Sequence, residues 1–167
     1  MPMNGTVNKD AKFSECRAYR YALWRIWDTS RPYALFIGLN PSTADEVEDD
    51  PTLRRCIDFS KSWGYGGVYM ANLFAYCATQ PEVMKKAVAP IGPENDAWIT
   101  QLASTAGIVI AAWGNEGNFA GRSVQVRKML PRIRCLKMNK TGEPAHPLYQ
   151  PKSAMPISMS MPTRGRD

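Results

Sequence analysis

Short apolar segments that recur along the chain constrain its fold most strongly. Residues 33–39, 68–74 and 108–112 are almost wholly apolar, and residues 133–138 are a further strand candidate. Runs of this length are typical of strands that are buried on both faces of a parallel sheet. The pattern therefore predicts four parallel strands.

Helical signals fill the gaps between these strands. Residues 50–64 begin with an Asp-Pro-Thr helix start and carry apolar residues at helical spacing. Further helices are predicted at residues 81–89, 95–106 and 122–130, and residues 20–27 resemble an additional strand. The predicted fold class is α/β, a three-layer αβα domain with a central, mainly parallel four-stranded sheet plus an N-terminal strand.

The length of 167 residues suits one domain. We place it at residues 14–155 and expect residues 1–13 and 156–167 to be loosely ordered tails, because neither segment has a strand or helix period. No stretch approaches the length of a membrane span, and the first twelve residues lack the apolar centre of a secretory signal. We therefore expect a cytoplasmic monomer with no membrane partner and no cofactor.

The net charge of +6 favours a polyanionic partner such as DNA or a nucleotide. The alternative is a basic surface that serves only solubility. The candidates for phosphate contacts are Arg54, Arg55, Arg122, Arg127, Lys137 and Lys140. Arg54 and Arg55 are alternatively structural helix residues, since adjacent positions do not share one face of a helix.

Two groups of metal-binding residue types have simpler explanations. The four cysteines at positions 16, 56, 77 and 135 are far apart and include no C-x-x-C pair, so we expect reduced thiols rather than a metal or iron–sulfur site. The acidic run at residues 45–50 could hold Mg²⁺ through oxygen ligands. Acidic residues also suit the start of a helix, where the dipole is positive. No metal site is predicted.

Several enzyme classes are excluded by missing motifs. The chain has no G-x-x-x-x-G-K-[ST] phosphate loop and no G-x-S-x-G nucleophile elbow, and a single histidine rules out a two-histidine zinc site.

Ligands of open parallel sheets bind beyond the carboxyl ends of the strands, so the loops there are the candidate site. Asn40 and Asn72 are notable because an amide within an apolar run is costly unless it is paired, although asparagine also caps turns. His146 is the only histidine, and we expect it to donate to an oxygen that gains negative charge, unless it is merely an exposed loop residue. The predicted substrate-binding residues are Gly38, Leu39, Pro41, Ser42, Asn72, Phe74, Trp113 and Gly114.

Seven motifs in order, spread over residues 19–149, resemble the bacterial and phage family described as domain of unknown function 1643. They are LWRIW at 23–27, LNPSTA at 39–44, DPTLRRC at 50–56, WGY at 63–65, NLF at 72–74, AWG at 112–114 and GEPAHPLY at 142–149. Motifs of this number and order make the match specific.

The loop order is also similar to that of the uracil-DNA glycosylase superfamily. Residues 38–42 resemble its G-[IL]-N-P-G motif, with Ser42 in place of the second glycine. His146-Pro147 resembles the start of its H-P-S-P motif, which continues here as Leu148-Tyr149. The resemblance implies a four-stranded parallel sheet between helices.

This second resemblance also implies a role for each loop. Asn40 would hold a water molecule and Asn72 would read the edge of a base turned out of the duplex. His146 would stabilise the departing base, with Asn40 and His146 as the catalytic residues. Pro41 and Ser42 would fix the first loop and contact phosphate, Trp113-Gly114 matches a strand-then-glycine element, and Leu148 and Tyr149 would wedge into the duplex.

The function implied is a DNA glycosylase that hydrolyses the N-glycosidic bond of a damaged, mismatched or modified base. Two alternatives stay open from the residues alone. One is a non-catalytic protein that binds nucleotides or nucleic acid in the same pocket. The other is an enzyme that acts on modified nucleosides.

Overall fold

The computed structural model describes residues 8–159. Their regular elements are seven strands and four α-helices, with two 3₁₀ segments at Asn115–Gly121 and Pro147–Tyr149. In chain order they are β1 (Asn8–Phe13), β2 (Arg20–Ile26), β3 (Tyr33–Gly38), α1 (Pro51–Ser62), β4 (Gly67–Asn72), α2 (Pro81–Lys86), α3 (Asn95–Thr105), β5 (Ile108–Ala111), α4 (Arg122–Met129), β6 (Arg134–Cys135) and β7 (Ile157–Ser158).

All seven strands belong to one mixed sheet in the order β1-β2-β4-β3-β5-β6-β7. Its centre, β4-β3-β5-β6, is parallel, whereas β1, β2 and β7 pair antiparallel with their neighbours. The α/β class is confirmed. The sheet is larger than the expected four strands with one N-terminal addition, because β1 and β7 extend both edges.

Both edge strands come from segments expected to be loosely ordered. Residues 8–13 form β1, which pairs with β2 and is mostly exposed. Residues 157–158 form β7 beside β6 and are also exposed. Such strands are held by backbone hydrogen bonds rather than by burial, so they carry no apolar alternation. The rest of the expected tails, residues 1–7 and 160–167, lies outside the described residues.

Helices cover both faces of the sheet, because alternate residues of its central strands point to opposite sides. On one face, α1 buries Leu53, Cys56 and Phe59 against strand residues that include Phe36 and Met70. On the other face, α2, α3 and α4 pack against the remaining strand positions, through Met84, Ile99, Leu102 and Val126. Within residues 8–159, no helix has both the length and the apolar character needed to cross a membrane.

The acidic run before α1 is held by side-chain and backbone contacts. Asp50 caps the helix, since its Oδ1 accepts the Leu53 N–H at 2.8 Å. Asp49 forms an ion pair of 2.9 Å with the buried Arg25. Asp45 accepts two backbone N–H bonds within its own turn, and these bonds lower the pKa of its carboxyl. The run therefore orders the entrance to α1.

Arg122 has a structural role in place of the phosphate contact predicted for it. Its side chain is fully buried, and its Nε donates to the Leu73 carbonyl at 2.8 Å. The guanidinium also pairs with Asp96 of α3 and donates to Gln125 at 2.9 Å. Arg122 thus joins α3 and α4 to the segment that follows β4.

We predict that Arg122→Ala lowers the free energy of unfolding by about 2–4 kcal/mol, because it leaves a void where a fully buried side chain packed and removes the hydrogen bonds that this side chain donates to Leu73 and Gln125. Urea denaturation measures the change. The control is Lys128→Ala on the exposed side of the same helix, where we expect less than about 0.5 kcal/mol. Equal effects from the two variants would contradict the structural role of Arg122.

Candidate functional site

The loops that follow β3 and β5 diverge at the carboxyl edge of the sheet. These strands are neighbours, but the chain leaves β3 toward α1 on one face and leaves β5 toward α4 on the other. Divergence of this kind opens a crevice where ligands of α/β proteins bind. A cavity of about 450 Å³ occupies it, within the size range of small-molecule sites. Every predicted catalytic and substrate-binding residue except Phe74 lines this cavity.

Asn72 presents an unsatisfied amide to the cavity. It ends β4 directly beside Gly38, the last residue of β3, in the parallel register. The residue is 4% exposed, and its Nδ2 is buried with no partner among residues 8–159. A Cβ at position 38 would lie 2.9 Å from Asn72 Oδ1, so glycine at this position leaves room for the amide. Since a buried donor is costly when unpaired, a ligand acceptor would satisfy it.

Asn40 has a fixed amide with a free oxygen. Its Nδ2 donates to the carbonyls of Ala78 at 2.9 Å and Pro41 at 3.2 Å. These bonds decide which way the amide faces. Its Oδ1 accepts no hydrogen bond from the described part of the chain, and the residue lines the cavity. Asn40 therefore offers an acceptor that can orient a water molecule or a ligand hydroxyl.

His146 is a neutral donor at the wall of the cavity. The Leu148 N–H donates to its Nδ1 at 3.2 Å, which assigns the proton of the neutral ring to Nε2. Burial lowers the pKa of His146 below its ordinary value, with only partial opposition from Asp50. The ring is therefore uncharged at pH 7 and has one N–H group to donate.

A buried carboxylate supports the segment that carries His146. Glu143 accepts hydrogen bonds from Trp113 Nε1 at 2.8 Å and from Ser123 Oγ at 3.0 Å. These contacts connect the segment to the loop after β5 and to α4. Glu143 precedes His146 by three residues, so it fixes the position from which the imidazole reaches the cavity.

Two predicted substrate contacts have more structural roles than expected. Phe74 is fully buried and packs against Phe119 at 5.6 Å between ring centres, so it belongs to the core. Trp113 borders the cavity, but its indole is almost completely buried and is covered by Gly117, where any Cβ would overlap the ring. Gly114, which follows Trp113, adopts a φ of +77°, a backbone conformation that favours glycine.

The predicted basic residues do not form part of the cavity wall. Arg55 donates to the carbonyls of Gln150 and Pro147, so its contacts favour the structural alternative. Arg54 is exposed, and among residues 8–159 its side chain donates only to the Asp49 carbonyl, at 3.4 Å. Lys137 and Lys140 are exposed, and Arg127 is partly buried.

Two exposed apolar side chains stand beside the cavity. Leu148 is 36% exposed and Tyr149 is 81% exposed, both in the 3₁₀ segment that follows His146. Tyr149 also lines the cavity and packs against the His146 ring at 5.7 Å between ring centres. This rim could make contact with a large ligand.

Sequence reasoning missed several lining residues, above all Arg20 of β2, together with Thr52, Met70 and Glu116. Arg20 carried one available signal, since it is a charge at the start of an apolar strand. Thr52 lies in the DPTLRRC motif as part of the predicted helix start, and Met70 and Glu116 belong to no motif.

All four cysteines are free, two of them buried and one exposed. Within residues 8–159, no group of three or more His, Cys, Asp and Glu side chains is arranged to hold a metal ion. The polar side chains that line the cavity therefore carry amides, hydroxyls, one imidazole and one guanidinium, with the carboxylates of Asp50 and Glu116 at its border.

These features define an α/β protein with a cavity lined by polar side chains, a candidate ligand site, at the carboxyl ends of its parallel strands. The chain belongs to the family described as protein of unknown function DUF1643, whose model matches residues 20–148. Comparison with the curated proteins and with the solved structures found no match.

We predict that His146 titrates below its ordinary pKa of 6.5. Because the chain has one histidine, a single Cε1–H signal in proton NMR reports it. The unfolded state then binds the proton more tightly, so this residue's contribution to stability falls as the pH drops through about 6.5. The same signal in urea is the control, and a folded midpoint at or above the unfolded one would contradict the buried neutral ring.

Proposed function

We propose that this protein is a glycosylase that hydrolyses the N-glycosidic bond of a damaged, mismatched or modified base in DNA. One observation carries the proposal: Asn40, Asn72 and His146, from three separate segments of the chain, line one cavity. Each supplies a group that such a reaction needs. The likeness of their loops to the uracil-DNA glycosylase superfamily suggests how the three groups divide the work.

Asn40 is the residue that would hold the attacking water. Its Oδ1 is an acceptor whose direction is fixed by the Nδ2 bond to Ala78. A neutral amide is a weak base, so its contribution is to position the water rather than to deprotonate it fully. This suits a reaction in which the bond to the base breaks early and leaves an electrophilic sugar carbon.

Asn72 and His146 would act on the base itself. An amide both donates and accepts, so Asn72 can match one polar edge of a base. The neutral His146 would donate from Nε2 to a base oxygen that gains negative charge as the bond breaks. A positioned donor of this type typically lowers the activation free energy of the reaction by about 3 kcal/mol.

The rim fits a substrate larger than a free base. Leu148 and Tyr149 extend beside the cavity, where apolar side chains can fill the space left by a base turned out of a duplex. The net charge of +6 would assist the approach of a polyanion.

A second candidate, binding of a nucleotide without catalysis, is favoured by the state of the nearby carboxylates. Asp50 accepts the Leu53 N–H, and Glu116 pairs with Lys85 at 2.6 Å. Neither is a free general base in the described part of the chain. Tight binding without release of a base would support this candidate.

We predict that Asn40→Ala lowers the rate of base release at least 100-fold while the protein stays folded and its Tm falls by only a few degrees, because the side chain lies outside the core and loses only the hydrogen bonds to Ala78 and Pro41. The assay incubates the protein with duplexes that contain uracil, mismatches or hypermodified bases and detects abasic sites. Asn118→Ala, at an exposed asparagine away from the cavity lining, is the matched control. Full activity of the Asn40 variant would refute the role given to this residue, and no release from any duplex would refute the glycosylase proposal.

We predict that binding to duplex DNA weakens steeply with salt, with log affinity falling by several units per unit of log salt concentration, because phosphate contacts release counterions. Fluorescence anisotropy measures the slope. Tyr149→Ala should weaken binding without changing that slope, since the ring carries no charge. A flat salt response would count against DNA as the partner.

A further inference from the structure

Arg20 is a buried arginine that lines the cavity and has no ion-pair partner among the described residues. It is 4% exposed. Its Nη1 donates to the Ala44 carbonyl at 2.9 Å, and its Nε is buried with no partner in residues 8–159. A buried charge normally requires an opposite charge and a full set of hydrogen bonds.

The two other buried arginines of the described chain meet this requirement. Arg25, on the same strand as Arg20, pairs with Asp49 and donates to the carbonyls of Trp24 and Asp45. Arg122 pairs with Asp96 and also has its other donors bonded. Of the three, the arginine that lacks a carboxylate is the one that borders the cavity.

Neighbouring groups do not supply the missing charge. Asp45 and Asp50 raise the pKa of Arg20, but neither forms an ion pair with it, and both accept backbone N–H bonds instead. Burial raises the pKa of the Cys77 thiol, so this neighbour is uncharged at pH 7. Burial lowers the pKa of Arg20 to about 10, with Arg25 acting in the same direction, and Arg20 therefore keeps its positive charge at pH 7.

We propose that Arg20 binds an oxyanion, a phosphate or carboxylate, that the ligand of this cavity carries. The guanidinium has donors to spare for such a group, and planar oxyanion recognition is the interaction for which arginine is best suited. Asn72 lines the same cavity, and its Nδ2, which has no partner among residues 8–159, would bind a neutral part of the same ligand. The ligand class is then a nucleotide, or a base with an acidic substituent.

This inference does not depend on glycosylase activity, because a non-catalytic binder would use Arg20 in the same way. The inference also differs from a purely structural role for Arg20. A scaffold arginine stabilises the empty protein, whereas a ligand-binding arginine without a partner does not.

The first experiment compares Arg20→Met with Arg25→Met in the absence of added anions. We expect Arg25→Met to lower the Tm by roughly 10 °C, since it leaves Asp49 unpaired and removes several hydrogen bonds. Arg20→Met should change the Tm by no more than about 3 °C, because the loss of one hydrogen bond is offset by removal of an unpaired buried charge. A fall for Arg20→Met as large as that for Arg25→Met overturns the proposal.

The second experiment measures Tm in potassium phosphate and in potassium acetate, each against potassium chloride of the same ionic strength. We expect at least one of the two anions to raise the Tm of the unaltered protein by a few degrees. A rise in phosphate indicates a phosphate group on the ligand, and a rise in acetate indicates a carboxylate. Arg20→Met should abolish the rise. Arg132→Met removes the same charge at an exposed site and should keep it. No rise in either arm, or an equal rise in the Arg20 variant, overturns the proposal, whatever the base-release assay gives.

Discussion

Pairing of β3 with β4 on one side and with β5 on the other is the constraint on which the rest of the structure depends. It puts the ends of three strands side by side and sends the chain to opposite faces of the sheet on leaving two of them. The polar ends of these strands then face a shared space instead of a neighbouring helix. Gly38 matters here because its lack of a side chain lets the Asn72 amide lie against the end of β3.

One wall of the cavity comes from the segment that contains Glu143 and His146, far along the chain from β3 and β4. Charged side chains hold this segment in place. Glu143 connects it to the loop after β5 and to α4, and Arg55 connects it to α1 through two backbone carbonyls. His146 thus reaches the cavity from a segment that has little regular structure. Buried polar contacts of this kind replace the precision that a helix or strand would provide.

The sequence was most informative where burial imposes a pattern. The central strands and all four helices match the predicted segments, with β4 beginning one residue earlier, because buried strands leave continuous apolar runs and helices leave apolar residues at helical spacing. The edge strands β1 and β7 were missed because pairing of exposed backbone leaves no such pattern. Part of the lining of the cavity was anticipated from residues at strand ends and from the motif around His146. The roles of Arg122 and Phe74 were not, since only three-dimensional packing shows that their side chains point into the interior. Arg20 was missed although it is a charge in an apolar strand, because Arg25 of the same strand carries the same signal and is well paired.

The edge strand β1 has a further consequence through its contacts with the acidic run that precedes α1. Lys9 of this strand donates to the Val47 carbonyl at 3.0 Å, and Arg17 of the following turn pairs with Glu46 at 2.9 Å. The run is continuous with the loop that contains Asn40 and ends at Asp50, which borders the cavity. A shortened protein beginning at residue 14 would retain every residue of the cavity wall, yet it would lose the hydrogen bond from Lys9 to this run. The segments that support the cavity therefore include an exposed strand that contributes no residue to the cavity wall.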